Sequence, residues 1–127
     1  MGNLTVLGVH EAVRVDARRL GEIVGELGES AAQTIICAAL EQLAAGLAAA
    51  RRAALAGDMA ELSEQAERLS RLAWQVGLPA MAGVAIDVVA CAERRDSIAL
   101  AATLARLMRI GNRSLAEIRI GAGPSFS

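Results

Sequence analysis

Apolar residues recur every three or four positions along most of the chain, which is the spacing of one face of an α-helix. Glycine, proline or a short polar residue separates each apolar stripe from the next. β-branched residues are scattered and never alternate for long, so the pattern predicts helices and no strands. The longest stripe has alternating spacings of four and three: Ile36, Leu40, Leu43, Leu47, Ala50 and Ala54.

Two helices are predicted in the first half of the chain. Asp16 is a candidate N-cap for a short helix over 16–27, and Gly28 stops that helix. The segment 30–33, Ser-Ala-Ala-Gln, has the capping-box pattern. It predicts the start of a second helix over 31–56.

A third helix follows a turn made by Gly57 and Asp58. Gly57 suits the left-handed position after a helix, and Asp58 can accept hydrogen bonds from the next free N–H groups. Glu61, three residues on, can reach back to the start of the helix. Pro79 cannot continue a helix, so the third helix ends near Gly77. Its predicted core stripe is Leu62, Ala66, Leu69, Ala73 and Val76.

The fourth helix, predicted over 80–94, is apolar on more than one side, and Asp87 is its only charge before residue 93. A helix of that kind is buried on more than one side. The expected core residues are Met81, Val84, Val88 and Cys91. A second group points elsewhere, and either the first helix or a second copy of the chain covers it: Ile86, Val89 and Ala90.

The fifth helix begins after the candidate N-cap Asp96. Gly111 and Asn112 end it or kink it, and Leu115 and Ile118 suggest another turn or two. The residues expected to face inward are Ile98, Ala101, Leu104, Leu107 and Met108.

These segments predict one all-α domain over 1–127. It has an N-terminal arm (1–15), a helical body (16–120) and a flexible tail (121–127). Four long helices joined by short turns predict an antiparallel up-down-up-down four-helix bundle, with an extra short helix and arm at the N-terminus.

Composition narrows the possible functions. The formal net charge is −1 and the charges are interspersed, so we expect no nucleic-acid partner. No apolar run reaches the length of about 18 residues that spans a bilayer, so we expect no membrane insertion and a cytoplasmic location. Cys37 and Cys91 are expected to be buried in a reducing compartment. No metal, cofactor or nucleophile motif is present, so we expect none of these and no enzymatic activity.

One segment of the third helix carries a known motif. Histidine phosphotransfer (HPt) domains have Ala-His-x-Leu-Lys-Gly-x-Ala/Ser-x-x-x-Gly at this place. The chain resembles them because four positions fall in register: Ala66, Leu69, Ala73 and Gly77. The phrase Ala-Ala-Leu-Ala-Gly-Asp over 53–58 also resembles the turn that precedes the motif helix in that family.

The resemblance implies the same bundle fold but not the same chemistry. In the family, an exposed imidazole takes the phosphoryl group from the aspartate of a receiver domain, a lysine stabilises it, and a glycine leaves room for the partner. Here Glu67 stands at the histidine, Ser70 at the lysine and Arg71 at the glycine. A carboxylate cannot hold a stable phosphoramidate, so phosphotransfer by this surface is not expected.

Helical spacing places five residues on one side of the third helix, and we call them the motif face: Ser63, Glu67, Ser70, Arg71 and Trp74. Glu67 and Arg71 are four residues apart and either form an exposed ion pair or leave Glu67 to imitate a phosphorylated histidine. Trp74 is either an anchor under the N-terminal helix or an interface anchor.

Three functions follow from these observations. The first is a non-phosphorylatable HPt-like protein that docks a response-regulator receiver domain or a histidine kinase through the motif face. The second is a homo-oligomeric helical scaffold that associates through Ile86, Val89 and Ala90. The third is a phosphotransfer protein that uses another residue, for which His10 is the only histidine available.

Overall fold

The computed structural model describes the backbone of residues 17–126 and the side chains of 18–19, 21–26 and 28–118. It contains five α-helices and, within the described residues, no strand, so the all-α prediction is confirmed. His10 and the arm over 1–15 lie outside the described residues. The helices are α1 (Ala17–Leu27), α2 (Glu29–Ala56), α3 (Met59–Gln75), α4 (Pro79–Arg94) and α5 (Ser97–Phe126).

The start of α2 differs from the prediction. Gly28 adopts φ 84° and occupies the N-cap position without a side-chain cap, so α2 begins at Glu29. Ser30 is therefore already inside the helix and does not cap it. Its carbonyl instead accepts a hydrogen bond from Thr34 Oγ1 at 3.2 Å. The capping-box interpretation was wrong because one glycine both ends α1 and begins α2.

The turn between α2 and α3 confirms Asp58 as an N-cap. Its Oδ1 accepts a hydrogen bond from the Glu61 N–H at 3.1 Å. Gly57 is left-handed with φ 74°, and the Asp58 N–H donates to the Ala53 carbonyl at 2.9 Å. Because that N–H is already used, Glu61 does not reach back, and its carboxylate accepts from Gln65 Nε2 at 2.7 Å.

The turn between α4 and α5 has the same form with a different residue. Arg95 occupies the left-handed position with φ 55°, where the other helix ends have glycine. Asp96 caps α5 as predicted, since its Oδ1 accepts from the Ala99 N–H at 3.1 Å.

The helices pack in a simple pattern. α3 lies against α2 and α4, and α5 lies against α4 and α2. The backbone of α1 packs against α2. The apolar excess of α4 is thus covered by α3 and α5, and not by α1. Val89 is only 7% exposed, which explains why α4 reads as apolar on two sides.

Two glycines permit close approaches to α2. A Cβ at Gly46 would lie 2.7 Å from Leu69 Cδ2 on α3, and a Cβ at Gly111 would lie 2.7 Å from Leu47 Cδ1. Gly111 was predicted to end or kink α5. It does not end the helix, which continues past it and brings the buried Gly111 against α2.

The inward side of α5 also differs from the prediction. Leu107 is fully buried as expected, but Ile98 is 84% exposed and Ala101 is exposed. The assigned helix runs to Phe126, through most of the segment 121–127 that was expected to form a tail. The buried side of α5 is instead formed by Leu100, Leu107, Ile110, Ser114, Leu115 and Ile118.

Among the described residues, one helix, α2, is long and apolar enough to cross a membrane by length and composition. From unbroken apolar runs alone, no helix that could span a membrane was expected. Helix α2 qualifies when a few charged residues are allowed within the segment. The core helix of a soluble protein can have the same length and composition, so this finding does not by itself indicate a membrane-spanning helix. The stripe predicted for α2 lies in the protein core from Ile36 to Ala50, and Ala54 packs against it.

Candidate functional site

The motif positions that match the HPt pattern are structural. Ala66 and Ala73 are fully buried, and Leu69 is 1% exposed against Gly46. Gly77 is left-handed with φ 80°, and the next N–H, of Leu78, donates to the Ala73 carbonyl at 2.8 Å. This closes α3 and buries Leu78. The whole predicted stripe of α3 is buried, so these four residues are explained by packing and by the turn.

The motif face, which contains the three positions that depart from the HPt pattern, lies at the protein surface. Glu67 and Arg71 are exposed, while Ser63 and Ser70 are half-buried. Both Glu67 and Arg71 are described, and no ion pair joins them within 4.0 Å. The Glu67 carboxylate and the Arg71 guanidinium therefore both remain available to a binding partner.

Ser70 has a structural contact. Its hydroxyl donates a hydrogen bond to the Ala82 carbonyl of α4 at 3.0 Å. The side chain at residue 70 thus ties α3 to α4. Within the motif face, Ser70 is therefore half-buried and already engaged in a hydrogen bond.

Trp74 lies at the surface, at 68% exposure. Together with Arg19, Gln75, Gly77 and Pro79 it lines a small cleft of about 270 Å³. Arg19 Nε donates to the Gln75 carbonyl at 2.9 Å, which links α1 to the end of α3. Trp74 therefore stands beside this link and is not buried under α1. Of the two interpretations, this position matches the one that leaves the indole open to a partner.

A groove between α2 and α3 adjoins the motif face through Arg71. It has a volume of about 630 Å³, and it contains three arginines and no carboxylate. None of these arginines forms an ion pair with a described residue. Small residues on α2, Ala45, Gly46 and Ala49, keep the groove open. Its polar lining consists of Arg52, Arg68, Arg71, Gln42, Gln65 and Gln75.

The sequence contained the signal for this groove, but the prediction missed it. Residues 45, 46 and 49 place small side chains on one side of α2, and residues 68, 71 and 75 place long polar ones on α3. Only the packing of α2 against α3, which the turn at Gly57 joins, brings the two sets together.

Two other predictions are corrected here. Of the three residues proposed for a homodimer surface, Val89 is buried in the core and Ala90 is half-buried, which leaves Ile86 at 50% exposure. Cys37 is exposed, whereas Cys91 is buried as expected and accepts a hydrogen bond from Arg94 Nη2 at 3.7 Å. Within residues whose side chains are described, no group of three His, Cys, Asp or Glu is placed to hold a metal ion.

No protein-family model matches this chain, and neither a characterised protein nor a solved structure matches it significantly. The resemblance to HPt domains therefore rests on the sequence of α3 and of the turn before it alone.

Proposed function

We propose that this chain is an HPt-like protein of two-component signalling that lacks the phosphorylatable histidine and acts by binding. Its partner is a response-regulator receiver domain or a histidine kinase. The observation that carries the proposal is the contrast on α3: Ala66, Leu69 and Ala73 are buried, while Glu67 is exposed at the position of the family histidine.

The fold that goes with this proposal is an antiparallel four-helix bundle of α2 to α5, with α1 added at one end. Its support is that each of these four helices packs against two of the others. The connections are also short: two residues after α2, three after α3 and two after α4. Short connections favour antiparallel neighbours in helical bundles.

Binding is favoured over chemistry by the character of the motif face. A carboxylate at residue 67 does not form the stable phosphoramidate that an imidazole forms. Ser70 is used in a hydrogen bond to α4, and Arg71 adds a long side chain where the family keeps glycine. We place this protein in the cytoplasm, where receiver domains and kinase catalytic regions meet.

The partner-binding surface extends from Trp74 across Arg71 into the groove that holds Arg52 and Arg68. Exposed tryptophan and arginine contribute much of the binding energy in many interfaces. Three unpaired guanidinium groups favour an acidic partner surface. A receiver domain, which presents the aspartate that carries its phosphoryl group, has that character.

Calorimetric titration against the receiver domains and kinases of the host tests the binding. We expect one of them to bind, and Trp74→Ala or Arg71→Ala to weaken that binding about 30-fold or more, the effect of a residue worth 2 kcal/mol. Leu55→Ala, which removes an exposed apolar side chain that belongs neither to the motif face nor to the groove, is the matched control and should leave the affinity unchanged. Absence of any binder among these domains would remove the proposal.

Transfer of labelled phosphate from a phosphorylated receiver tests the second half of the proposal. We expect no label on this protein. Label on an imidazole that disappears in His10→Ala would favour the third function, an active phosphotransfer protein, over this one.

A homo-oligomeric scaffold is the alternative function, and the exposed Ile86 favours it. Ile86 lies on α4 near Gly83, whose surroundings are open to 4 Å. Light scattering would show a dimer, and Ile86→Glu should dissociate it. Val89→Glu does not test the dimer, because it would place a carboxylate in the core and unfold the protein.

A further inference from the structure

A second cleft, separate from the motif face, lies between the end of α2 and the first half of α5. We call it the α2–α5 cleft. Its volume of about 600 Å³ falls within the range of small-molecule sites, roughly 300–1,000 Å³. It is lined by Arg51, Ala54, Leu55, Met59, Arg95, Ser97, Leu100, Ala101, Leu104, Ala105 and Met108.

The walls of this cleft are apolar enough to have been predicted as core. Ala101, Leu104 and Met108 belong to the stripe expected to face inward, yet Ala101 is exposed and the other two are half-buried. Across the cleft, Leu55 is 79% exposed. Single exposed apolar side chains are ordinary in proteins, but these residues line one concave surface.

The cleft continues along the helices. Arg51, Leu55 and Met108 also line a neighbouring depression of about 510 Å³, which extends as far as Asn112. The length of α5 from Ser97 to Asn112 is about 22 Å at the rise of an α-helix. The apolar surface is therefore elongated, and its shape suits a linear ligand better than a compact ring system.

The charges of the cleft are all of one sign. Arg51 from α2 and Arg95 from the turn before α5 are its only charged residues, and both are exposed. Neither forms an ion pair with a described residue. Arg95 also occupies a left-handed conformation, which disfavours residues with a side chain. The backbone alone would favour glycine there.

We propose that the α2–α5 cleft binds a free long-chain carboxylate, that is, an alkyl chain with an anionic head. The chain lies along the apolar walls, where the unbranched thioethers of Met59 and Met108 adapt to its shape. The carboxylate pairs with the guanidinium of Arg51 or Arg95. Charge complementarity selects this ligand over a cationic or neutral amphiphile. The inference does not depend on the proposed role of the motif face.

Methyl NMR with 13C-methionine tests the site directly, because the chain has four methionines. Met59 and Met108 line the cleft, whereas Met81 is fully buried and lines none of its walls. On titration with dodecanoate below its micelle concentration, we expect the methyl signals of Met59 and Met108 to shift and that of Met81 to stay. Decanoate, which is two methylenes shorter, should bind about 15-fold more weakly, at about fourfold per methylene.

Three variants refine the test. Ala101→Phe fills the cleft from an exposed position and should abolish the shifts while the circular dichroism spectrum is retained. Arg51→Gln combined with Arg95→Gly, which suits the left-handed backbone, should weaken dodecanoate binding at least tenfold and leave dodecanol binding unchanged. Arg68→Gln removes an exposed arginine from the other groove and should change nothing.

Three results would overturn the proposal. Equal shifts of Met81, Met59 and Met108 would mean that the amphiphile loosens the whole protein. Binding of dodecylamine as tight as that of dodecanoate would remove the role of the arginines. A dimer in sedimentation experiments that Ala101→Phe dissociates would identify a second copy of the chain as the occupant.

Discussion

Helix α2 contacts a neighbour on two sides, and a glycine permits close approach on each. Although a groove lined by arginine and glutamine borders it, the contact toward α3 keeps an apolar layer of Leu43, Leu62 and Leu69, each at most 1% exposed. Toward α5 it is closed where Leu47 meets Gly111 and open at the end near Leu55 and Leu104. The two-residue turn Gly57–Asp58 connects α2 directly to α3. Helix α5 is not connected to α2 by a turn, because α3 and α4 lie between them in the chain. One close contact between two helices does not pack them together along their whole length when no short turn connects them.

Leucine truncation on the two sides is expected to give the largest difference. Leu69→Ala removes a buried side chain between α2 and α3, and it should lower the free energy of unfolding by about 2–5 kcal/mol. Leu104→Ala in the α2–α5 cleft, where the side chain is half-exposed, should cost about 1 kcal/mol. Urea denaturation followed by circular dichroism, with equal m values, measures both. Equal losses would mean that the two sides are packed alike.

Glycine substitution gives a smaller effect with a built-in control. Gly111→Ala gains about 1 kcal/mol of helix propensity but presses a methyl group on the buried Leu47, at a cost of about 1–3 kcal/mol. Gly83→Ala gains the same propensity and meets nothing within 4 Å. Gly83→Ala should therefore stabilise the protein, and Gly111→Ala should fall below it by about 1–3 kcal/mol. The midpoint of thermal unfolding orders the two variants. Equal midpoints would show that α2 and α5 separate freely at this point.

The outer side of α3 should respond least. Glu67→Gln is expected to change the free energy of unfolding by no more than about 0.5 kcal/mol, because Glu67 is exposed and unpaired with Arg71. The same urea measurement applies, with Arg71→Gln as the partner control. A loss above 1 kcal/mol in both variants would indicate that the two side chains form an ion pair in solution.

The same comparison explains which parts of the fold could be predicted from the sequence. For α3, Asp58 and Pro79 fix both ends, and one apolar stripe with a polar opposite side leaves a single choice of inward face. For α5, apolar residues at 98, 101, 104 and 108 compete with those at 100, 107, 110 and 118. Periodicity alone does not decide between two such faces. The close packing of Gly111 on Leu47, which depends on α2, decides it.

The candidate site also has parts that the sequence could predict and parts that it could not. Local spacing was enough to place Glu67 and Arg71 on the exposed side of α3. It could not show that Ser70 bonds to the Ala82 carbonyl, because that contact requires the position of α4. The cleft and the groove both depend on pairs of helices, so neither was visible in any one stripe.

The position of Trp74 determines what optical spectroscopy can detect in this protein. It is the only tryptophan, the chain has no tyrosine, and its indole stands in water beside the junction of α1 and α3. Its emission will respond when α1 detaches or when a partner covers α3. It will change little when the core around Leu43 and Met81 melts, so fluorescence and far-ultraviolet dichroism should give separate transitions for one chain.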